Sequence, residues 1–126
     1  SILDNKELQI YGNDYPTKDG TPIRDYIHVS DLVEAHIKAL DYLVKTKQSQ
    51  AFNLGNNQGY SVKQILNTTQ KVLKLKLNVK YVERRPGDPA MLVADASKAN
   101  KLLKWKPQYK LDEMIKSTYL VYKKAK

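Results

Sequence analysis

Cysteine is absent from this 126-residue chain, which excludes disulfides, thiolate metal sites and thiol catalysis. That absence suits a cytoplasmic protein. No apolar run is long enough to span a bilayer, and no charged-then-apolar leader opens the chain, so neither a membrane anchor nor a targeting segment is expected. Only five glycines occur, and none builds the glycine-rich strand-to-helix turn that holds a dinucleotide. Internal repeats, low-complexity tracts and a clear linker are also missing.

Basic residues are plentiful. Lysine and arginine outnumber aspartate and glutamate by 22 to 13, a net charge of +9. The lysines are scattered singly or in pairs, as at Lys71, Lys74, Lys76, Lys98, Lys101 and Lys104. No basic run alternates with aromatics in the manner of a base-stacking platform, so nucleic acid is not the expected partner. A basic surface attracts anions in general, which favours a phosphate-bearing ligand. An apolar share of 41% and a length of 126 residues are enough for one core and argue against wholesale disorder.

Helix and strand signals alternate. Leu8-Gln9-Ile10-Tyr11 reads as a short strand ended by Gly12, and residues 12–21 are turn chemistry throughout. Ser30 and Asp31 supply an N-cap and a first-turn acid for a helix to about Val44. Its apolar residues surround most of the axis, which predicts burial on more than one side. Ala51 to Gly55 reads as a short buried strand. Ser61 and Gln64 form a capping box for the next helix. Val79 to Val82 alternates like a strand, Ala96 to Trp105 is a short helix, and Asp112 and Glu113 open the last one.

Two polar motifs carry candidate chemistry. Arg24 follows the turn-rich loop and precedes a buried segment; its planar fork suits a diphosphate, although pairing with Asp25 or Asp31 is equally available to it. Arg84-Arg85-Pro86-Gly87-Asp88 places two arginines at a rigid turn, where each is as readily structural as functional. Two Tyr-x-x-x-Lys pairs, Tyr119 with Lys123 and Tyr122 with Lys126, lie on the terminal amphipathic helix. In a chain with nine tyrosines, helix packing explains them better than catalysis. His28 and His36 have no cysteine or acidic partner set, so no metal site is expected.

The Tyr11-Gly12-Asn13-Asp14-Tyr15-Pro16-Thr17, Asp19-Gly20-Thr21 and Arg24-Asp25-Tyr26-Ile27-His28-Val29 blocks closely resemble the UDP-galactose 4-epimerases of the extended short-chain dehydrogenase/reductase family. The resemblance continues through Val93 to Ala99 and Leu111-Asp112-Glu113, nearly the whole chain. It implies an α/β fold: the carboxy-terminal substrate-binding part of a Rossmann-type enzyme, with short strands alternating with helices. Residues 1–126 would be the UDP-sugar-binding region, and the amino-terminal NAD-binding domain would be absent from this chain.

By match of motif, Arg24 and Arg85 would clamp the UDP diphosphate and Asp88 would accept bonds from the uridine ribose. Tyr26 would line the diphosphate-ribose site, Tyr11 would lie beside the uracil, and Val62 would form an apolar wall. Leu92 stands where some members have an aromatic beside the nucleotide. The resemblance implies an NAD-dependent enzyme acting on UDP-glucose and UDP-galactose, homodimeric when complete, with its catalytic and NAD-binding residues outside this chain. A second sugar-nucleotide epimerase or dehydratase activity, a non-catalytic sugar-nucleotide module and a basic nucleic-acid-binding domain are the alternatives. The Asn-Asp-Tyr-Pro-Thr and Asp-Gly-Thr insertion favours the epimerase.

Overall fold

A computed structural model describes residues 2–4 and 6–125. Among the described residues nine elements follow one another: β1 (Leu8–Tyr11), β2 (Ile23–Arg24), α1 (Val29–Thr46), β3 (Tyr60–Ser61), α2 (Val62–Leu73), β4 (Val79–Val82), β5 (Met91–Leu92), α3 (Ser97–Leu103) and α4 (Leu111–Lys124). Short strands and helices alternate, as expected for the α/β class. β1 and β4 form a parallel pair in which Tyr11 faces Val82. β2 lies between β3, antiparallel, and β5, parallel, so Arg24 stands between Tyr60 and Leu92. α2 packs on α4, and α1 on α3.

The core gathers at the α1–α3 contact. Ala35, Ala96, Ala99, Leu103 and Trp105 are buried there, with Ile27, Ala39, Tyr42, Phe52 and Leu54 packed around them. Small alanines on both helices let the backbones approach, and Trp105 fills the remaining volume. Its indole N–H donates to the Asp31 carbonyl at 2.8 Å, which satisfies the one polar atom such a buried ring carries.

Two local expectations change. Ser30 is not the N-cap of α1. His28 takes that place, its Nδ1 accepting the Ser30 amide at 3.0 Å while Nε2 meets the Ser117 hydroxyl at 2.8 Å. Asp31 turns inward, and its two carboxylate oxygens accept the Gln108 and Tyr109 amides at 2.9 and 3.2 Å. Ala51 to Gly55 is irregular rather than a strand. Just beyond it a carboxylate ties two segments together: Asp25 accepts the Asn56 amide at 2.9 Å and the Ala94 amide at 3.0 Å. Gly55 is required beside it, because a Cβ would sit 2.1 Å from Asp25 Oδ2.

The capping box of α2 forms as the sequence predicts, with Ser61 Oγ accepting the Gln64 amide and Gln64 Oε1 accepting the Ser61 amide. α1, α2 and α3 each end on a lysine in the left-handed region, Lys47 (φ 58°), Lys74 (φ 52°) and Lys104 (φ 52°). α1 buries only part of its apolar surface. Val29, Val33, Ile37, Leu40 and Val44 form an exposed stripe at helical spacing.

Candidate functional site

The loop of residues 12–21 folds back on itself before it delivers the chain to β2. Tyr15 N–H donates to the Gly20 carbonyl at 2.9 Å, and the Thr17 hydroxyl to the Thr21 carbonyl at 2.7 Å. Gly20 has φ +79°, and a Cβ there would lie 2.1 Å from the Asn13 carbonyl oxygen, so the closure depends on glycine. Asp19 is the internal anchor. Oδ1 accepts the Thr21 amide at 3.0 Å and the Thr21 hydroxyl at 2.7 Å, and Oδ2 accepts the Ser61 hydroxyl at 2.5 Å. Burial opposes ionisation of this group, but the bonds from Ser61 and Thr21 outweigh it and hold its carboxyl below the ordinary aspartate value.

Arg24 emerges from β2 next to this network. One guanidinium nitrogen donates to the carbonyls of Ile23 and Pro89, both at 2.8 Å, and the other lies 3.4 Å from Asp88 Oδ1. The sequence leaves Asp25 and Asp31 open as partners of Arg24. Neither serves, since both are committed to backbone amides.

Arg85 lies flat over the Tyr11 ring, 3.9 Å from its centroid, and Tyr11 hydroxyl reaches Gln9 at 3.2 Å. The two pairs share a turn, for the Asp88 amide donates to the Arg85 carbonyl at 3.3 Å. Tyr11, Arg24, Arg85 and Asp88 are thus held by one segment, residues 85–89, lying across the ends of β1 and β2. Tyr26 is half-buried, and desolvation pushes its phenol pKa up despite the opposing charge of Arg24; it stays neutral and able to donate. Val62 opens α2, its amide donating to the Pro22 carbonyl at 3.1 Å. It is half-buried, and its tie to the others runs through β2.

Arg84 has a different task from its neighbour. Its Nε–H donates to Asp14 Oδ1 at 2.6 Å, another N–H donates to the Asp14 carbonyl, and its guanidinium covers the buried Tyr15 ring at 4.2 Å. The bond from Arg84 lowers the Asp14 pKa. Of two adjacent arginines, one is stitched to the loop and the other lies on an aromatic at the surface. Nothing in local sequence distinguishes them, because the deciding partners are seventy positions away.

A cavity of about 460 Å³ is lined by Thr17, Lys18, Asp19, Ile23, Gln58, Gly59, Ser61 and Gln64. Its lining includes none of the six residues matched by motif. A shallower depression of about 630 Å³, lined by Gly12, Asn13, Asp14, Tyr81, Val82, Glu83 and Arg84, borders Tyr11 and Arg85. Lys123 Nζ is 6.0 Å from the Tyr119 ring centroid, an ordinary contact along a helix surface. Among the described residues no group of three or more histidine, cysteine or acidic side chains could hold a metal. No described helix is long and apolar enough to cross a membrane.

The family model described as GDP-mannose 4,6 dehydratase matches residues 1–118. The chain belongs to that family. It is 47% identical over 112 residues to a UDP-glucose 4-epimerase of Rhizobium meliloti (strain 1021), a match that covers 89% of this chain and 34% of the relative. A UDP-glucose 4-epimerase from Stenotrophomonas maltophila, solved with NAD and formylated UDP-arabinopyranose, superposes with a TM-score of 0.90 at 39% identity, over 95% of this chain and 37% of its own. The enzyme from Bifidobacterium longum, solved with NAD+ and UDP, gives 0.85 at 40% identity, over 94% and 35%.

This member of the family therefore spans about a third of the length of the curated relatives it matches. Its helices have His28, Ser61, Ala96 and Lys110 as N-caps. None begins on a glycine-rich turn, so the described residues do not fit the pyrophosphate of a dinucleotide. NAD is bound in those two solved relatives.

Proposed function

We propose that residues 1–126 are the UDP-sugar-binding region of an NAD-dependent UDP-glucose/UDP-galactose 4-epimerase. Hydride transfer, proton transfer and dinucleotide binding belong to other parts of the complete enzyme, which would be a cytoplasmic homodimer. The observation that carries the reading is the arrangement about one turn: Arg24 against Asp88, and Arg85 on Tyr11. Two guanidinium groups, a carboxylate and an aromatic ring are the complements of a diphosphate, a ribose and a base. The similarity to epimerases solved with UDP and a UDP-sugar supports that choice of ligand.

In this reading Arg24 and Arg85 bind the two phosphates, Asp88 accepts ribose hydroxyls, and Tyr11 lies beside the uracil. Tyr26, a phenol whose pKa burial raises further from its ordinary value, donates rather than repels at the diphosphate, and Val62 closes the apolar side. None of these residues needs to touch the sugar carbon that reacts. Binding energy from the nucleotide end positions the sugar, the usual use of remote contacts.

Titration of the isotope-labelled chain with UDP, followed by NMR, tests the reading. Shifts are expected at Tyr11, Arg24, Tyr26, Val62, Arg85 and Asp88. Arg24→Ala and Arg85→Ala should each weaken binding about tenfold or more, since a charge-assisted bond contributes roughly 1.5–3 kcal/mol. Shifts confined to scattered surface lysines would sink the proposal. The chain alone should not interconvert UDP-glucose and UDP-galactose, and turnover by the purified chain would contradict the division of labour.

A further inference from the structure

The loop of residues 12–21 touches both halves of the proposed UDP site through aspartates that themselves make no contact with Arg24 or Arg85. Near its start, Asp14 holds Arg84 by side chain and backbone carbonyl together, and Arg84 is clasped from the other side by the Tyr15 ring. The next residue is Arg85. Near its end, Asp19 bonds the Ser61 hydroxyl, and Ser61 sits opposite Ile23 in the β2–β3 ladder, one residue from Arg24. Thr21, held by the same carboxylate, accepts the Lys63 amide at 3.1 Å, which pins the start of α2 where Val62 stands. Between these anchors the loop is closed by the Tyr15–Gly20 and Thr17–Thr21 bonds.

We propose that Asp14 and Asp19 are positioning residues for nucleotide binding: through Arg84 and Ser61 the closed loop anchors the neighbours of Arg85 and Arg24 and so holds the two arginines in place before a diphosphate arrives. The inference rests on the UDP reading and adds to it the part that makes the two arginines act together. A diphosphate presents its charges at a fixed spacing, so arginines held in advance lose less freedom on binding than arginines on independent loops. A loop whose aspartates only stabilised the fold would show different behaviour. Its loss would lower stability, or lower affinity by the same factor whether or not the arginines were present.

Coupling decides between these. UDP affinity would be measured by NMR titration for the unaltered chain, Asp14→Ala, Arg85→Ala and the double variant, and in parallel for Asp19→Asn with Arg24→Ala. Asp14→Ala alone should weaken UDP binding about threefold or more, the size of coupling found between groups in one network. In the Arg85→Ala background it should change nothing, because the residue it positions is already gone. Asp14→Asn, which retains the oxygen that accepts the Arg84 Nε–H, should recover most of the affinity. The Asp14–Arg84 pair is exposed, and exposed pairs hold little stability; the melting temperature of Asp14→Ala should therefore stay unmoved while affinity falls. Equal weakening in both backgrounds, or no weakening in a folded Asp14→Ala chain, would overturn the inference and leave the UDP reading intact. Absence of any UDP-induced shift in the unaltered chain would remove both.

Discussion

Replacing Asp31 by alanine should remove a large share of the stability of this chain. Asp31 is 1% exposed. Its oxygens accept the Gln108 and Tyr109 amides at 2.9 and 3.2 Å, fastening the segment that follows α3 to the first turn of α1. Each bond to a charged acceptor contributes roughly 1.5–3 kcal/mol, so loss of both costs about 3–6 kcal/mol. Against a typical total of about 5–15 kcal/mol, that is enough to unfold a marginal domain. Asp31→Asn keeps one acceptor but turns an NH2 toward the second amide, and should cost roughly half as much. Trp105, the sole tryptophan, donates to the Asp31 carbonyl and reports on the site by fluorescence. Urea unfolding followed by that signal should show a lower midpoint at an unchanged slope. A loss below about 1 kcal/mol for the alanine variant, again at unchanged slope, would refute the role given to the carboxylate.

Other outcomes follow from the same structure. Asp14, Asp19 and Asp95 all have pKa values lowered from 3.8: Asp14 by the bond from Arg84, Asp19 by bonds from Ser61 and Thr21 that outweigh burial, and Asp95 by the bonds from Ser97. The contribution of Asp19, the part-buried member of the three, is complete above the unfolded value of 3.8 and fades as pH falls through its lower folded value. Unfolding measured against pH should therefore show the Asp19 bonds failing only in that acid range, while the exposed Asp14 and Asp95 carboxylates have little stability to lose; a step traced to Asp19 well above pH 3.8 would contradict the assignment. The exposed stripe Val29, Val33, Ile37, Leu40 and Val44 of α1 should drive self-association at high concentration. Ile37→Glu should weaken it, and a strictly monomeric unaltered chain in sedimentation would count against the stripe being sticky.

Much of this architecture was legible in the sequence where local chemistry decides. The Ser61–Gln64 capping box and the strands from Leu8 to Tyr11 and from Val79 to Val82 depend on neighbours within a few residues, and all form, although Tyr81 is exposed like Lys80 and the burial of the second strand does not alternate. Where a distant partner decides, the sequence misleads. Ser30 is a sound N-cap by type, but His28 is anchored by Ser117 on α4 and stacks on Tyr109 at 4.1 Å, and it displaces the serine from that role. Ala51 to Gly55 has strand composition, yet it joins no strand pair, and the chain just beyond it is fixed by a side chain instead, Asp25 accepting the Asn56 amide. The α1 helix shows the opposite case: its surplus of apolar residues predicts more burial than these residues supply, and the stripe remains exposed.

The site divides along the same line. The motifs point to Arg24, Arg85 and Asp88, but not to the Arg24–Asp88 pairing, which spans the turn between β4 and β5. The difference between Arg84 and Arg85 comes from Asp14 and Tyr15 on one side and Tyr11 on the other. The capacity of Asp19 to join Thr21 and Ser61 depends on the loop closing, which the two-glycine composition suggests and the contacts complete.

The lysines that end α1, α2 and α3 make those ends sensitive to ionic strength. Lys47, Lys74 and Lys104 adopt φ between 52° and 58°, a conformation that costs a residue with a side chain about 1–2 kcal/mol. Each also sets a cation at the negative end of its helix, which returns roughly 0.3–1 kcal/mol at low salt. Added salt screens that attraction and leaves the backbone cost in place. The last turns of these three helices should accordingly loosen first as salt rises, well before the alanine-lined contact between α1 and α3 responds.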